Sequence, residues 1–182
     1  MEIRNADSCF ENLMVRIVAN RNYPEIQLAG LSAGPLEEGN EYEVQYWVAK
    51  ELTKLGIAHF REDYDLDATM LYKIQWKERV QIAGQISELA EEFYPKLRRY
   101  LAGIKAEIAT NPERAQDYEK AKNLALDIVN SRLKKIIALS SGPIQTEHIR
   151  KKLTCEERFI YEQLGKTISE WKAQILDLEG ER

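Results

Sequence analysis

The stretch NPERAQDYEKAKNLALDIVNSRLKKIIALSSG, running from Asn111 to Gly142, decides how the rest of the chain is read. Asn111 is a good N-cap, because its side-chain oxygen accepts a bond from a helix amide that has no carbonyl partner. Pro112 then stands at the first helical position, where its missing N–H costs nothing. Gly142 and Pro143 form a stop signal at the far end. The spacing between them predicts one long helix that is apolar on more than one face. Leu126, Val129, Leu133, Ile136 and Ser140 make one stripe; Ala121, Leu124, Ala125 and Ile128 widen it, and Ile137 and Leu139 extend it. A surface helix carries one apolar stripe, whereas a helix apolar over much of its circumference is enclosed by neighbours. The stretch is therefore read as the centre of a helical bundle, a subunit contact, or both.

Working outward, Thr154-Cys155-Glu156-Glu157 is a capping box, in which the threonine hydroxyl and the glutamate carboxylate close each other's free amides. It opens a last helix with Leu164, Ile168, Trp171, Ile175 and Leu178 on one stripe. Upstream, Leu89, Phe93, Leu97, Tyr100, Leu101, Ile104 and Ile108 carry a helix whose Pro95 marks its first turn or a kink. Met70, Leu71, Ile74 and Trp76 mark another, which Ile82, Gly84 and Ser87 weaken. These segments are read as a helical bundle domain at 68–182, and the acidic residues 63–67 as a linker.

Residues 1–62 change in character. Leu13 to Ala19 is short, apolar and rich in β-branched residues, as a strand is. Asn20 to Pro24 is turn chemistry. Ile26 and Leu28, with Gly30, suggest a second strand. Leu31 to Asn40 contains Gly34-Pro35 and Gly39 and reads as a loop. Tyr42 and Val44 alternate with Glu41 and Glu43 in a short strand. Tyr46 to Leu55 is helical, with Trp47, Val48, Leu52 and Leu55 on one side and Gly56 as its C′ residue. Ile57, Ala58 and Phe60 make a last strand. The fold class is thus α+β, a small N-terminal β-rich domain with one helix followed by a mainly α-helical bundle domain.

The chain has 182 residues, 31% charged and 44% hydrophobic, which is a globular composition. No apolar run approaches the roughly 20 residues of a membrane span, and Met1 to Phe10 lacks the apolar core of a secretory signal. Cys9 and Cys155 are expected to be free thiols in a cytoplasmic protein. Net charge is −4. Through Glu62 there are 6 basic and 10 acidic side chains, which leaves 20 of each in the remainder, so the acidic surplus belongs to the N-terminal part. The basic surplus of a protein built to grip phosphates is absent.

No enzyme chemistry emerges, and no cofactor or metal is expected. His59 and His148 lie in different domains with no ligand or base partner at useful spacing. Asp63, Asp65 and Asp67 alternate, but the glycine and distal glutamate of a calcium loop are missing. The Gly30 to Gly39 segment lacks the Gly-Lys-Ser/Thr ending of a phosphate loop, and there is no Gly-x-Ser-x-Gly elbow. Basic clusters occur at Arg98-Arg99, at Arg132 with Lys134-Lys135, and at Arg150-Lys151-Lys152. Single-strand binders interleave such clusters with aromatics, and Tyr94 and Tyr100 could serve. Salt bridges to the many glutamates and favourable charges at helix C-termini are the competing account.

The chain resembles the GINS subunits of the archaeal and eukaryotic replication machinery. Ile26-x-Leu28-x-Gly30 is similar to the strand that opens the family's conserved block, and Gly34-Pro35-Leu36-x-x-Gly39 to its Gly-Pro-Phe-x-x-Gly loop. Val44-Gln45-Tyr46-Trp47-Val48-Ala49-x-x-Leu52 is similar to its Val-Pro-Leu-Trp-Leu-Ala helix start, with Gln45 where the family has proline. Glu92-Phe93-Tyr94, Arg132-Leu133-Lys134-Lys135-Ile136 and Leu153-Thr154-x-Glu156-Glu157-x-x-x-Tyr161 are similar to signatures of the helical part. The motifs cover nearly the whole chain, in order. The resemblance implies an archaeal subunit of the type with the β-domain first, like the eukaryotic subunits of that order. Such a subunit joins a second GINS subunit with the helical domain first in a 2:2 tetramer. That tetramer binds the MCM helicase and a RecJ-like cofactor and supports unwinding, as a non-enzymatic scaffold in the cytoplasm at replication forks.

Two residue sets follow as expectations. The subunit interface is placed at Leu126, Val129, Leu133, Ile136 and Ile137. The alternative function, a nucleic-acid-binding module, would use Arg98, Arg99, Arg132, Lys134 and Lys135, with a strong salt dependence from counterion release.

Overall fold

The computed structural model describes residues 3–28, 30–61, 66–80, 85–142 and 147–176. The chain divides into two compact units, Glu2–Asp65 and Leu66–Arg182.

The first unit is built on β1 (Met14–Ala19), the middle strand of a three-stranded antiparallel sheet of order β4-β1-β5. Strand β4 is Glu41–Gln45 and β5 is Ala58–Phe60. Ile17 lies opposite Tyr42 on one side and Phe60 on the other. Side chains alternate across a strand, so Val15, Ile17 and Ala19 all face inward and are buried. Between β1 and β4, Ile26–Leu28 (β2) and Leu31–Ala33 (β3) pair as a tight hairpin with Gly30 at φ 90° in its turn. The sequence places a loop at 31–40; its first residues are instead a strand. Three-residue strands are too short to show a period. Gly34 follows at φ 101°, where a Cβ would come within 3.0 Å of the Leu36 amide.

Helix α2 (Tyr46–Lys54) covers the sheet with Tyr46, Val48, Ala49 and Leu52. Its end is a Schellman motif: the Gly56 amide donates to the Thr53 carbonyl and the Ile57 amide to that of Leu52, with Gly56 at φ 66°. Leu55, expected on the inner side, is exposed, because the chain turns away at this cap. A helix that the sequence reading did not assign, α1 (Ile3–Glu11), sets Phe10 into the same core. The Phe10 ring lies 4.7 Å from that of Tyr46, which stacks in turn on Phe60.

The second unit is a helical bundle of α3 (Ala68–Val80), α4 (Phe93–Glu107), α5 (Arg114–Ser140), the short α6 (Glu147–Arg150) and α7 (Cys155–Leu176). Helix α5 packs against α3, α4 and α7 and is the centre of the bundle. Its start follows the sequence signals with one tight turn added. The Asn111 side chain accepts from the Glu113 amide, and Arg114 and Ala115 bond back three residues before the regular helix begins. Asp67, placed in the linker from sequence, caps α3 by accepting from the Met70 amide. Leu66 of that linker packs against the bundle core, while residues 62–65, Ile82 and Gly84, Pro143, and Leu178 lie outside the described residues. Pro95 sits in the first turn of α4 and is buried, while Leu89, expected on that helix, packs into the core from the extended segment before it.

Two apolar clusters fill the bundle. Leu71, Leu97, Ile104, Leu124 and Ile128 belong to the larger, and Ile86, Ile136, Leu153 and Tyr161 form the smaller. The stripe expected on α7 is only half used: Trp171 and Ile175 are exposed. No helix among the described residues is long and apolar enough to cross a membrane.

Candidate functional site: two faces of the central helix

Helix α5 turns Ala121, Leu124, Ala125, Ile128, Arg132, Lys135, Ile136 and Ser140 inward. Arg132 sits one turn from Ile128 and one turn from Ile136, on the buried row itself, with 0% of its surface exposed. A buried cation is tolerated only when paired and fully hydrogen-bonded. Arg132 meets that condition with all five of its N–H groups. Nε and Nη2 fork onto the two Glu157 oxygens at 2.5 and 2.7 Å. Nη1 donates to Glu78 Oε1 at 2.8 Å and to the Ser87 carbonyl at 2.9 Å, and Nη2 also reaches the Lys152 carbonyl at 3.2 Å. Lys135 Nζ takes the other Glu78 oxygen at 2.6 Å and the Glu78 carbonyl at 2.8 Å. The Ser87 hydroxyl donates to Glu78 as well.

Glu157 belongs to the capping box read from the sequence. Its Oε2 accepts from the Thr154 amide at 3.2 Å, and its own amide donates to Thr154 Oγ1. The Tyr94 hydroxyl donates to its Oε1 at 2.7 Å. The cluster thus holds two cations and two carboxylates and ties α3, α4, α5, α7 and the 85–89 segment at one point. Burial by itself would raise the Glu78 pKa. The hydrogen bonds from Lys135 and Ser87 and the charge and hydrogen bond of Arg132 outweigh it, so Glu78 is held below its ordinary value. Burial would lower Arg132, and Glu157 and then Glu78 drive it upward instead. Burial, then the Glu157 charge and hydrogen bond, push the Tyr94 phenol up. The shifts of Glu78, Arg132 and Tyr94 all run away from neutral pH. The arrangement is a structural tie between the helices.

This placement corrects part of both expected residue sets. Arg132 and Lys135 are buried in ion pairs and present no charge to a polynucleotide. Arg98 lies 3.6 Å from Glu156, and Arg99 donates to the Pro95 carbonyl. Lys134 is exposed. Tyr94 is spent on Glu157, so it is no stacking platform. Ile136 turns into the smaller apolar cluster and leaves the surface. Leu126, Val129, Leu133 and Ile137 do lie outward, 50%, 36%, 38% and 43% exposed, as one aliphatic row along α5. The signal for the tie was present in the sequence: Arg132 stands on an otherwise apolar row, and Glu78 stands two turns from the buried Leu71.

His59 faces the Asn20 side chain, and no group of metal-ligating residues occurs among the described residues. A cleft of about 340 Å³ opens beside the C-terminal end of α5. Its Ser140 hydroxyl is bonded to the Ile136 carbonyl, and Arg150 and Glu162 at its rim pair with each other.

Residues 59–176 match the family model described as Sld5, the GINS complex protein helical bundle domain. No curated protein matches the chain.

Proposed function

Since the chain belongs to the GINS family, a family of non-catalytic subunits of the DNA replication complex, we propose that it acts as a scaffold whose bundle is completed by other subunits. The observation that supports this is the aliphatic row Leu126, Val129, Leu133 and Ile137. It lies on the same helix that centres the core, so a partner seated there gains a rigid support. Exposed apolar patches of this kind mark protein contacts, and obligate interfaces resemble a domain core cut in half.

The strand-rich unit precedes the helical bundle in this chain. We assign it on that order to the subunit type with the β-domain first. Its partner is then a helical-first subunit in a 2:2 tetramer of archaeal kind, working at replication forks in the cytoplasm. The MCM helicase and a RecJ-like cofactor are the larger partners in this reading, and the subunit itself performs no reaction.

The test is Leu133→Asp with Ile137→Asp, followed by light scattering with the helical-first candidate and by circular dichroism. Both positions are solvent-facing, so the helical signal is expected to persist while the tetramer dissociates. A double variant that still runs as a tetramer would remove α5 from the interface.

A further inference from the structure

Helix α3 carries an exposed face of a different chemistry. Only Leu71 and Glu78 of this helix are buried. Tyr72, Trp76 and Val80 follow one another at intervals of four residues along its outer side, with Tyr72 53% and Trp76 68% exposed. At 100° per residue, Lys73 and Lys77 form a parallel row on one flank of these rings, and Arg79 lies on the other. The one acid of α3, Glu78, is turned into the tie with Arg132. The outer face therefore carries three cations and no carboxylate of its own. Other cations of the bundle are paired, Arg114 with Glu107 and Asp117, Arg150 with Glu162 and Arg158 with Glu91. Lys73, Lys77 and Arg79 have no such partner among the described residues.

We infer that the outer face of α3 binds a single-stranded polynucleotide, stacking bases on Tyr72 and Trp76 and pairing phosphates with Lys73, Lys77 and Arg79. The two rings are about 6 Å apart along the helix axis, so neighbouring bases of an extended strand can use both. Aromatic platforms flanked by unpaired cations are what a single strand needs, since stacking is indifferent to sequence and the cations follow the backbone. A duplex keeps its bases stacked inside and would leave the rings unused. A second copy of this chain pairing face to face would set Lys73 and Lys77 near their own counterparts. The aliphatic row on α5 carries no aromatic ring on which a base could stack, and the two surfaces divide between protein and polynucleotide on that ground. The inference stands whether or not the subunit reading of α5 holds.

The test is fluorescence anisotropy of a labelled oligothymidylate of about 20 nucleotides with the full-length chain, across a salt series beginning near 50 mM. Trp76→Ala should weaken binding on the order of 10-fold, and Trp76→Phe, which keeps a ring, should restore most of it. Lys73→Gln with Lys77→Gln should flatten the salt slope by about 0.7 for each cation removed. Circular dichroism and light scattering accompany each variant. The proposal is overturned if the wild-type chain does not bind at the lowest salt, or if the Trp76 and lysine variants bind as the wild type does. It is equally overturned if these substitutions change the mass of the assembly, which would make the face a protein contact.

Discussion

The interiors of the two units are made differently. Among the described residues, every buried side chain of the strand-rich unit is hydrophobic, from Phe10 through Ile17 to Ala58. All seven buried polar or charged residues, Glu78, Ser87, Arg132, Lys135, Ser140, Thr154 and Glu157, belong to the helical unit. The first interior is held by area removed from water, which is non-directional. The second adds a charge cluster that is satisfied in one arrangement of its helices only. A buried ion pair is weak support for stability, because desolvation offsets the Coulombic gain. It does penalise every packing in which one partner is missing. The helical unit is thus the part whose geometry is most tightly specified, which suits a body on which subunits assemble.

The largest effect expected from this difference is at Arg132. Arg132→Met leaves Glu78 and Glu157 buried without their shared cation and should destabilise the helical unit by about 3–5 kcal/mol, read as a lowered denaturant midpoint. Adding Glu157→Gln to the same chain should recover part of the loss, since Glu78 keeps its pair with Lys135 and the uncompensated charge is then gone. If the double variant is no better than the single one, packing rather than charge dominates at that point. In the strand-rich unit, Ile17→Ala should cost about 2–4 kcal/mol by lost burial and cavity formation, and no second substitution of a polar partner should rescue it. A rescue of that kind would show that the contrast between the units is overstated.

The smallest effect separates the units by pH. Burial of the Glu78 carboxyl is outweighed by the hydrogen bonds of Lys135 and Ser87 and by the Arg132 charge, which hold it below its ordinary value in the folded chain. Its contribution is therefore present above the unfolded pKa and is lost as pH falls through the folded one. Thermal melts below about pH 4.5 should report loss of the helical signal first, because the strand-rich unit has no buried carboxylate among the described residues. Near-ultraviolet signals from the Tyr46 and Phe60 stack follow that unit independently. Its melting before the helices in acid would contradict the assignment.

Much of the fold is legible in local signals. Asn111 and Pro112 announce the start of α5, Thr154 with Glu157 the start of α7, and Gly56 the end of α2, because each satisfies backbone groups within a few residues of itself. Strand β1 is legible because it is long enough to show apolar character. Helix α1, strand β3 and helix α6 escape for the opposite reason: they are short or polar, and tertiary contacts such as those of Phe10 hold them. Of the candidate site, the row Leu126, Val129, Leu133 and Ile137 was visible as apolar residues. Its merger with Ile136 was not resolvable, since α5 is apolar on adjoining faces and periodicity does not say which face a neighbour covers.

Helix positions, caps, the α+β class and the family motifs are properties of short windows, and the sequence alone determined them. Which face of α5 is core and which is surface was decided by the tertiary structure. So was the fate of its cations. Arg132 and Lys135 read as solvent-facing charge because nothing within a few residues pairs with them. Their partner Glu78 is 54 residues from Arg132, and Glu157 is 25 away. Charges so far apart along the chain meet only once the helices have packed, and that meeting turns a basic surface cluster into the centre of the bundle.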